Sequence, residues 1–174
     1  PHPYRVRIVP TPIANMPSVS AYIYGVSQFC IDEPMIAVAD DNVFTFGFDE
    51  LFLKSRQVKG NVLAVRHEDF ICEDTRGMNF GRVSIDSCGK IVQMSHSFFG
   101  RTTIDSRLIS LDVWVFDPGV VSELRRELLH QATPQDIVKA FLDRLHCVEV
   151  NEGFWADIGK PRLRLKAQEY FGER

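Results

Sequence analysis

The run MIAVADDNVF, from Met35 to Phe44, decides the fold, because an unbroken apolar stretch ends abruptly in Asp40, Asp41 and Asn42. A short apolar run of this kind is typical of a strand buried inside an α/β sheet. Such sheets bind their ligands at the carboxyl ends of their strands. Since an uncompensated charge next to a buried strand is costly, these acids need a divalent cation or a set of backbone donors nearby. The alternative interpretation of the three polar residues is an ordinary turn.

Composition places the chain among single-domain globular proteins. Its 174 residues suit one domain, residues 1–174, and 45% hydrophobic with 25% charged residues is ordinary for such a domain. A net charge of −3 argues against nucleic acid as a partner. The four cysteines have irregular spacings without a CxxC pair, which favours reduced thiols inside the cell. No apolar run approaches the length that a membrane span needs, so we expect a cytoplasmic protein without membrane contact.

Apolar periodicity predicts alternating strands and helices along the chain. A hairpin is expected where an alternating run resumes after the turn at residues 87–90. The alternation predicts an α/β fold with a mixed, mostly parallel sheet flanked by helices. The expected strands are 4–9, 35–39, 61–67, 80–86, 91–95, 108–116 and 147–150, and the expected helices are 19–29, 48–56, one from 118, 133–145 and 161–171.

A second informative segment is GFWADIGKP, residues 153–161, which combines an aromatic pair, an acid, a glycine for a tight turn and a proline at a helix start. Taken alone, Asp157 could simply cap the helix that follows. Taken with Asp40 and Asp41, it is another acid placed at the end of an apolar run. Acids from two such segments can share one hard cation that prefers oxygen ligands.

Three stretches in order resemble the sugar-phosphate nucleotidyltransferase family, which contains glucose-1-phosphate thymidylyltransferases and mannose-1-phosphate guanylyltransferases. ADDNVF at 39–44 is similar to the family's L-G-D-N-x-F strand end. FGRVSID with GKIV, within 80–92, is similar to its Y-G-V-V-x-x-D-x-x-G-x-V hairpin. WADIGKP with LKA, within 155–167, is similar to W-x-D-x-G-T-P…Y-L-x-A-N. The resemblance extends from about Tyr4 to Phe171.

The resemblance implies a Rossmann-like nucleotidyltransferase fold and a metal-assisted reaction. A sugar 1-phosphate would attack the α-phosphorus of a nucleoside triphosphate and release pyrophosphate, with Mg²⁺ or Mn²⁺ neutralising phosphate charge. By position, Asp41 and Asp157 would be the catalytic residues and metal ligands, and Asn42 would lie in the substrate site. Asn15 and Ser18 fall where the family contacts the nucleobase, although they could instead cap the following helix.

Four positions depart from the family pattern. Asp40 and Asp112 stand where the family has glycine, so they would crowd a phosphate and a sugar. His96 lies in the Ser-His-Ser-Phe stretch that replaces E-E-K-P, and a neutral histidine does not match the fixed charge of lysine. Lys160 replaces the threonine of D-x-G-T-P, where it could contact phosphate or remain solvated.

The family's opening G-G-x-G-T-R-L loop is absent from this sequence, which resembles only the C-terminal part of the catalytic domain. Loss of that central strand predicts an exposed sheet edge that a second copy or a companion chain completes. Two hypotheses therefore stand. The chain is part of an enzyme, inactive alone, whose triphosphate loop comes from a missing segment or partner. Alternatively, it is a non-catalytic relative that serves assembly or ligand sensing.

Overall fold

A computed structural model describes residues 34–71, 80–95, 104–129 and 142–172 of the chain. Its helices are α1 Asp49–Val58, α2 Pro118–Leu129 and α3 Pro161–Gly172, with a single 3₁₀ turn over Glu68–Phe70. Its strands are β1 Met35–Val38, β2 Asn42–Phe44, β3 Asn61–His67, β4 Arg82–Ile85, β5 Ile91–Ser95, β6 Leu108–Phe116, β7 Leu145–Glu149 and β8 Trp155–Asp157. The predicted strand at 4–9 and helix at 19–29 lie outside the described residues, as does residue range 133–141 of another predicted helix.

The main sheet has six strands in the order β5-β4-β6-β3-β7, with β1 also paired to β6. The mixed α/β class predicted from sequence is confirmed. Its mostly parallel character is not, because β3–β7 is the one parallel pair among the described strands. The cause is β6, which runs antiparallel to all three of its partners, β1, β3 and β4.

Strand β6 carries an irregularity that matters for the site. Its register against β3 pairs Leu63 with Trp114 but Val65 with Ser110, so β6 has extra residues between these two points. Within that bulge Asp112 adopts a left-handed conformation with φ 52°. The Asp112 carbonyl accepts a hydrogen bond of 3.1 Å from the Ala39 amide, directly after β1. Bulges bend a strand and redirect its side chains, and this one lies where the Asp40–Asp41 pair begins.

The sheet separates two apolar layers, as a three-layer α/β fold requires. On one face, Leu63 and Val65 of β3 pack in a cluster that includes Val120 and Val121 of α2. On the opposite face, the alternate residues of β3 pack in a cluster that includes Leu51 of α1 and Leu163 of α3. Helices α1 and α3 therefore cover the face on which β8 also packs.

Strand β7 begins earlier than predicted. Leu145, which the sequence analysis placed on a helix, pairs with Asn61 of β3 and is fully buried. Leu145 and Cys147 face the same apolar cluster, so this segment follows the two-residue period of a strand and not the four-residue repeat from which a helix was predicted. The turn between β4 and β5 contacts the outer edge of β7. The Cys147 amide donates a hydrogen bond to the Gly89 carbonyl at 3.0 Å, and Lys90 forms an isolated antiparallel β-bridge with His146.

Across the described ranges, no helix is long and apolar enough to cross a membrane.

Candidate metal centre

A two-stranded ribbon brings the two acid-bearing segments together. Strands β2 and β8 pair antiparallel, with Asn42 opposite Asp157 and Phe44 opposite Trp155. The Ile158 amide extends the ribbon by donating a 2.8 Å hydrogen bond to the Asp41 carbonyl. Asp41 at the start of one strand therefore lies beside Asp157 at the end of the other, although they are far apart in the sequence.

The ribbon is fixed to the main sheet by a buried tryptophan. Trp155 is 4% exposed, and its indole N–H donates to the Leu111 carbonyl at 3.1 Å, next to the bulge that contains Asp112. Two hydrogen bonds between Thr45 and the backbone of Phe154 hold the other end of the ribbon. The carboxylates of the site therefore stand on a scaffold that packing and hydrogen bonds hold in place.

Gly159 lies next to both carboxylates. A Cβ atom placed on Gly159 would lie 2.9 Å from Asp41 Oδ2 and 3.0 Å from Asp157 Oδ1. The φ angle of Gly159 is outside the left-handed region, so the position needs a small residue for space and not for backbone conformation. Both carboxylate oxygens thus border one small space that an added methyl group would fill.

The charges around this space repel one another. Asp41 is exposed as a residue, yet partial burial of its carboxyl raises its pKa. The negative charge of Asp157 raises this pKa further, and Asp40 and Asp112 add smaller contributions of the same sign. A hydrogen bond to the Asp41 carboxyl from its own backbone lowers this pKa in part. The ionised form of Asp41 is therefore disfavoured until a cation compensates it.

Two oxygen atoms at the site have no hydrogen-bond partner in the part of the chain that the structure describes. Among the described residues, Asp157 Oδ1 and Asn42 Oδ1 are buried and lack a hydrogen bond. The other oxygen of Asp157, Oδ2, accepts a 2.5 Å hydrogen bond from the Lys160 ammonium. Buried polar atoms are nearly always satisfied, so these two acceptors indicate a partner that the described residues do not supply, and a bound cation would be one.

The residues present fit a hard divalent cation. The described ranges hold no cluster of three or more His, Cys, Asp or Glu side chains of the kind that binds zinc or calcium. Mg²⁺ needs fewer protein ligands, because it is commonly bound by one or two carboxylates together with water and substrate phosphates. Asp41 Oδ2, Asp157 Oδ1 and the space over Gly159 match that requirement.

The predicted site residues divide into three groups. Asp41, Asn42, Asp157 and Lys160 come together around the ribbon. Asp40 is exposed in the turn after β1, and Asp112 lies in the β6 bulge, where its carboxylate accepts a 2.9 Å hydrogen bond from the Ser110 hydroxyl. Asn15, Ser18 and His96 lie outside the described residues. The roles assigned to the eight predicted site residues, which are all of these except Asp40, remain predictions.

Sequence reasoning missed two features of the site. It assigned Gly159 to a tight turn, whereas its small size also makes room between the carboxylates. It left Lys160 without a partner, whereas its ammonium pairs with Asp157 and lies 5.2 Å from the centre of the Phe80 ring. The i, i+3 spacing of Asp157 and Lys160 at a helix start was the available signal for the ion pair.

Gly159→Ala tests the geometry of the centre without changing its charge. The new methyl group would occupy the space between Asp41 Oδ2 and Asp157 Oδ1, so we expect Mn²⁺ to bind at least about tenfold more weakly. Isothermal titration calorimetry with Mn²⁺ measures the change. Gly47→Ala is the matched control, because a Cβ there meets no atom within 4 Å. Equal Mn²⁺ affinity in the two variants would contradict the position of the centre.

Comparison with known proteins gives fold-level relationships alone. No protein-family model matches the chain, and no curated protein sequence matches it significantly. A Bacillus anthracis crystal structure, assigned as a glucose-1-phosphate thymidylyltransferase in complex with a sucrose, is similar with a TM-score of 0.63 and 16% identity over 94% of this chain. HddC from Yersinia pseudotuberculosis is similar with a TM-score of 0.59 and 12% identity over 91% of this chain.

The present chain spans 63% and 64% of the lengths of those two structures, which is less than two thirds of each. At these identities the likeness concerns the fold, and residue roles do not transfer with it. Together with the architecture described above, the comparisons show that this chain shares the mixed α/β fold of these two structures.

Proposed function

We propose that this chain carries the metal-binding part of a sugar-phosphate nucleotidyltransferase. The reaction would transfer a nucleotidyl group from a nucleoside triphosphate to a sugar 1-phosphate and release pyrophosphate. The observation that carries the proposal is the β2–β8 register, which places Asp41 and Asp157 on either side of the space over Gly159. The nucleotidyltransferase fold of the structural neighbours supports the same reaction class.

The chain's own residues have distinct tasks in this proposal. Asp41 and Asp157 would hold a Mg²⁺ or Mn²⁺ ion, and Gly159 leaves room for it. When bound, that ion supplies neutralisation of phosphate charge and orientation for an in-line displacement. The anchor between Trp155 and Leu111 keeps Asp157 in position during binding. The triphosphate loop that the sequence lacks would come from another segment or a partner.

One observation favours a second candidate, a non-catalytic subunit that senses ligands. Asp40 and Asp112 add negative charge beside Asp41, as their effect on its pKa indicates. Surplus carboxylates repel the phosphates that a transferase must approach closely. A protein that binds a metal–nucleotide complex without turning it over would tolerate this charge better than an enzyme would.

Titration of the purified chain with nucleoside triphosphates distinguishes these candidates. We expect binding of at least one triphosphate in the presence of Mn²⁺ and a large loss of that binding in EDTA, measured by calorimetry. Pyrophosphate release on addition of glucose 1-phosphate or mannose 1-phosphate, measured after a segment carrying the triphosphate loop has been added, supports the enzyme. Binding without release under the same conditions supports the sensor. Absence of Mn²⁺-dependent nucleotide binding would contradict both.

A further inference from the structure

Lys160 is held inside the candidate metal centre. Its ammonium is 2.5 Å from Asp157 Oδ2, and its side chain is 26% exposed, which is low for a lysine at a helix start. The face of the Phe80 ring, 5.2 Å from the ammonium, adds a favourable interaction with the cation. The side chain therefore has a defined place in the structure, next to the acid that we propose as a metal ligand.

The two oxygens of Asp157 face different neighbours. Oδ2 accepts the hydrogen bond from Lys160. Oδ1 is buried, has no partner among the described residues and borders the Gly159 space shared with Asp41. A divalent cation in that space and the ammonium of Lys160 would share one carboxylate. Since like charges at short range repel, each would weaken the hold of the other on Asp157.

We propose that Lys160 is the internal counter-ion of the centre, and that metal binding releases its ammonium to contact a phosphate of the nucleotide. This inference rests on the proposed function, because it assumes that Asp157 is a metal ligand. Without metal, the ammonium compensates part of the charge carried by Asp157. With metal, the flexible stem and three N–H donors of lysine suit it to a phosphate oxygen a short distance away.

Lys160→Gln makes this exchange measurable, with Mn²⁺ and inorganic pyrophosphate as the probes. Removing the competing ammonium should tighten Mn²⁺ binding about two- to fivefold, the range expected for a partly exposed ion pair. The same variant, saturated with Mn²⁺, should bind pyrophosphate at least about tenfold more weakly, because a charge-assisted hydrogen bond is lost. Both affinities are measured by calorimetry, after circular dichroism has shown that the fold is unchanged.

Two further variants serve as controls. Lys166→Gln also removes one lysine charge, here from α3. Because the Lys166 ammonium hydrogen-bonds to the Ile71 carbonyl and not to Asp157, the affinities for Mn²⁺ and for pyrophosphate should stay close to those of the wild type. Lys160→Arg keeps the charge and the pairing, so it should bind Mn²⁺ no more tightly than the wild type.

The possible failures are distinguishable. Unchanged Mn²⁺ affinity or unchanged pyrophosphate affinity in Lys160→Gln would overturn the exchange. If Asp157→Asn nevertheless loses Mn²⁺ binding, the proposed metal centre survives and this inference alone fails. If Asp157→Asn binds Mn²⁺ like the wild type, the metal centre fails together with the inference.

Discussion

Asp157→Asn should lose detectable Mn²⁺ binding and lower any nucleotidyl transfer by more than about 100-fold. Changes to groups that only support metal ligands already cost about 10- to 100-fold, and here a direct ligand would be lost. Asp157 Oδ1 is buried and has no partner within the described ranges, and an amide at this position removes the charge that would attract the cation. Calorimetry with Mn²⁺ and a pyrophosphate-release assay measure the two effects.

Asp41→Asn should lose Mn²⁺ binding as Asp157→Asn does, and it should also raise the stability of the metal-free protein. Asp41 is exposed, but partial burial of its carboxyl and then the charge of Asp157 raise its pKa in the folded protein. Ionisation of Asp41 therefore destabilises the fold at neutral pH, by an amount that solvent screening keeps small. The metal-free variant should therefore melt at a higher temperature than the wild type at pH 7. That difference should shrink as the pH falls through the raised pKa, because Asp41 in the wild type then becomes protonated.

Asp105→Asn is the matched control for both substitutions. Asp105 is exposed, lies just before β6 and belongs to neither strand of the ribbon. It should retain Mn²⁺ affinity, turnover and melting temperature. Retained Mn²⁺ binding in either Asp41→Asn or Asp157→Asn would refute that residue as a ligand. A lower melting temperature for metal-free Asp41→Asn would refute the unfavourable ionisation of Asp41.

The largest loss of stability from a single polar side chain is expected for Arg66→Met. Arg66 is 3% exposed, and its guanidinium donates to the carbonyls of Val150 at 2.6 Å and Glu152 at 2.8 Å. Methionine would fill much of the volume but leave both carbonyls without these donors. Both hydrogen bonds are partly buried and Glu152 is exposed, so water can replace part of what is lost. Since a hydrogen bond from a charged group contributes about 1.5–3 kcal/mol, the free energy of unfolding should fall by about 2 kcal/mol.

Urea denaturation measures this loss, with Arg56→Met as the control. Arg56 is exposed in the last turn of α1, and substitutions at such sites usually change stability by less than about 0.5 kcal/mol. Since residues 150–152 lead directly into β8, Arg66→Met should also weaken Mn²⁺ binding. A stability change as small as that of Arg56→Met would show that Arg66 does not hold this segment.

Local patterns predicted most individual elements, although not β2, β8 or the start of β7, and they did not predict how the elements pair. The bounds of β3 and β6 are those expected from their apolar runs, and α3 starts at the predicted proline. Periodicity carries no information on strand direction, however, so it could not show that β6 runs antiparallel to its three neighbours. The bulge at Asp112 depends on register between distant strands, which no local pattern encodes.

The candidate site follows the same division. Acids at the ends of apolar runs pointed to Asp41 and Asp157, and the β2–β8 pairing brings them together. The contacts of Lys160 with Asp157 and Phe80 depend on how α3 packs against the segment before β4. The residue type alone could therefore not predict which groups surround the Lys160 ammonium. The orphaned oxygen of Asn42 depends likewise on what surrounds it in three dimensions.

The contact of the β4–β5 turn with β7 has a consequence for self-association. Exposed strand edges are templates for uncontrolled pairing between chains, and proteins commonly protect them by covering the edge. Here the Gly89 carbonyl already accepts a hydrogen bond from the Cys147 amide, and Lys90 forms an isolated backbone β-bridge with His146. The hairpin tip thus acts as a cap against aggregation at this part of β7, and ordered addition of a strand from another chain would have to use a different edge.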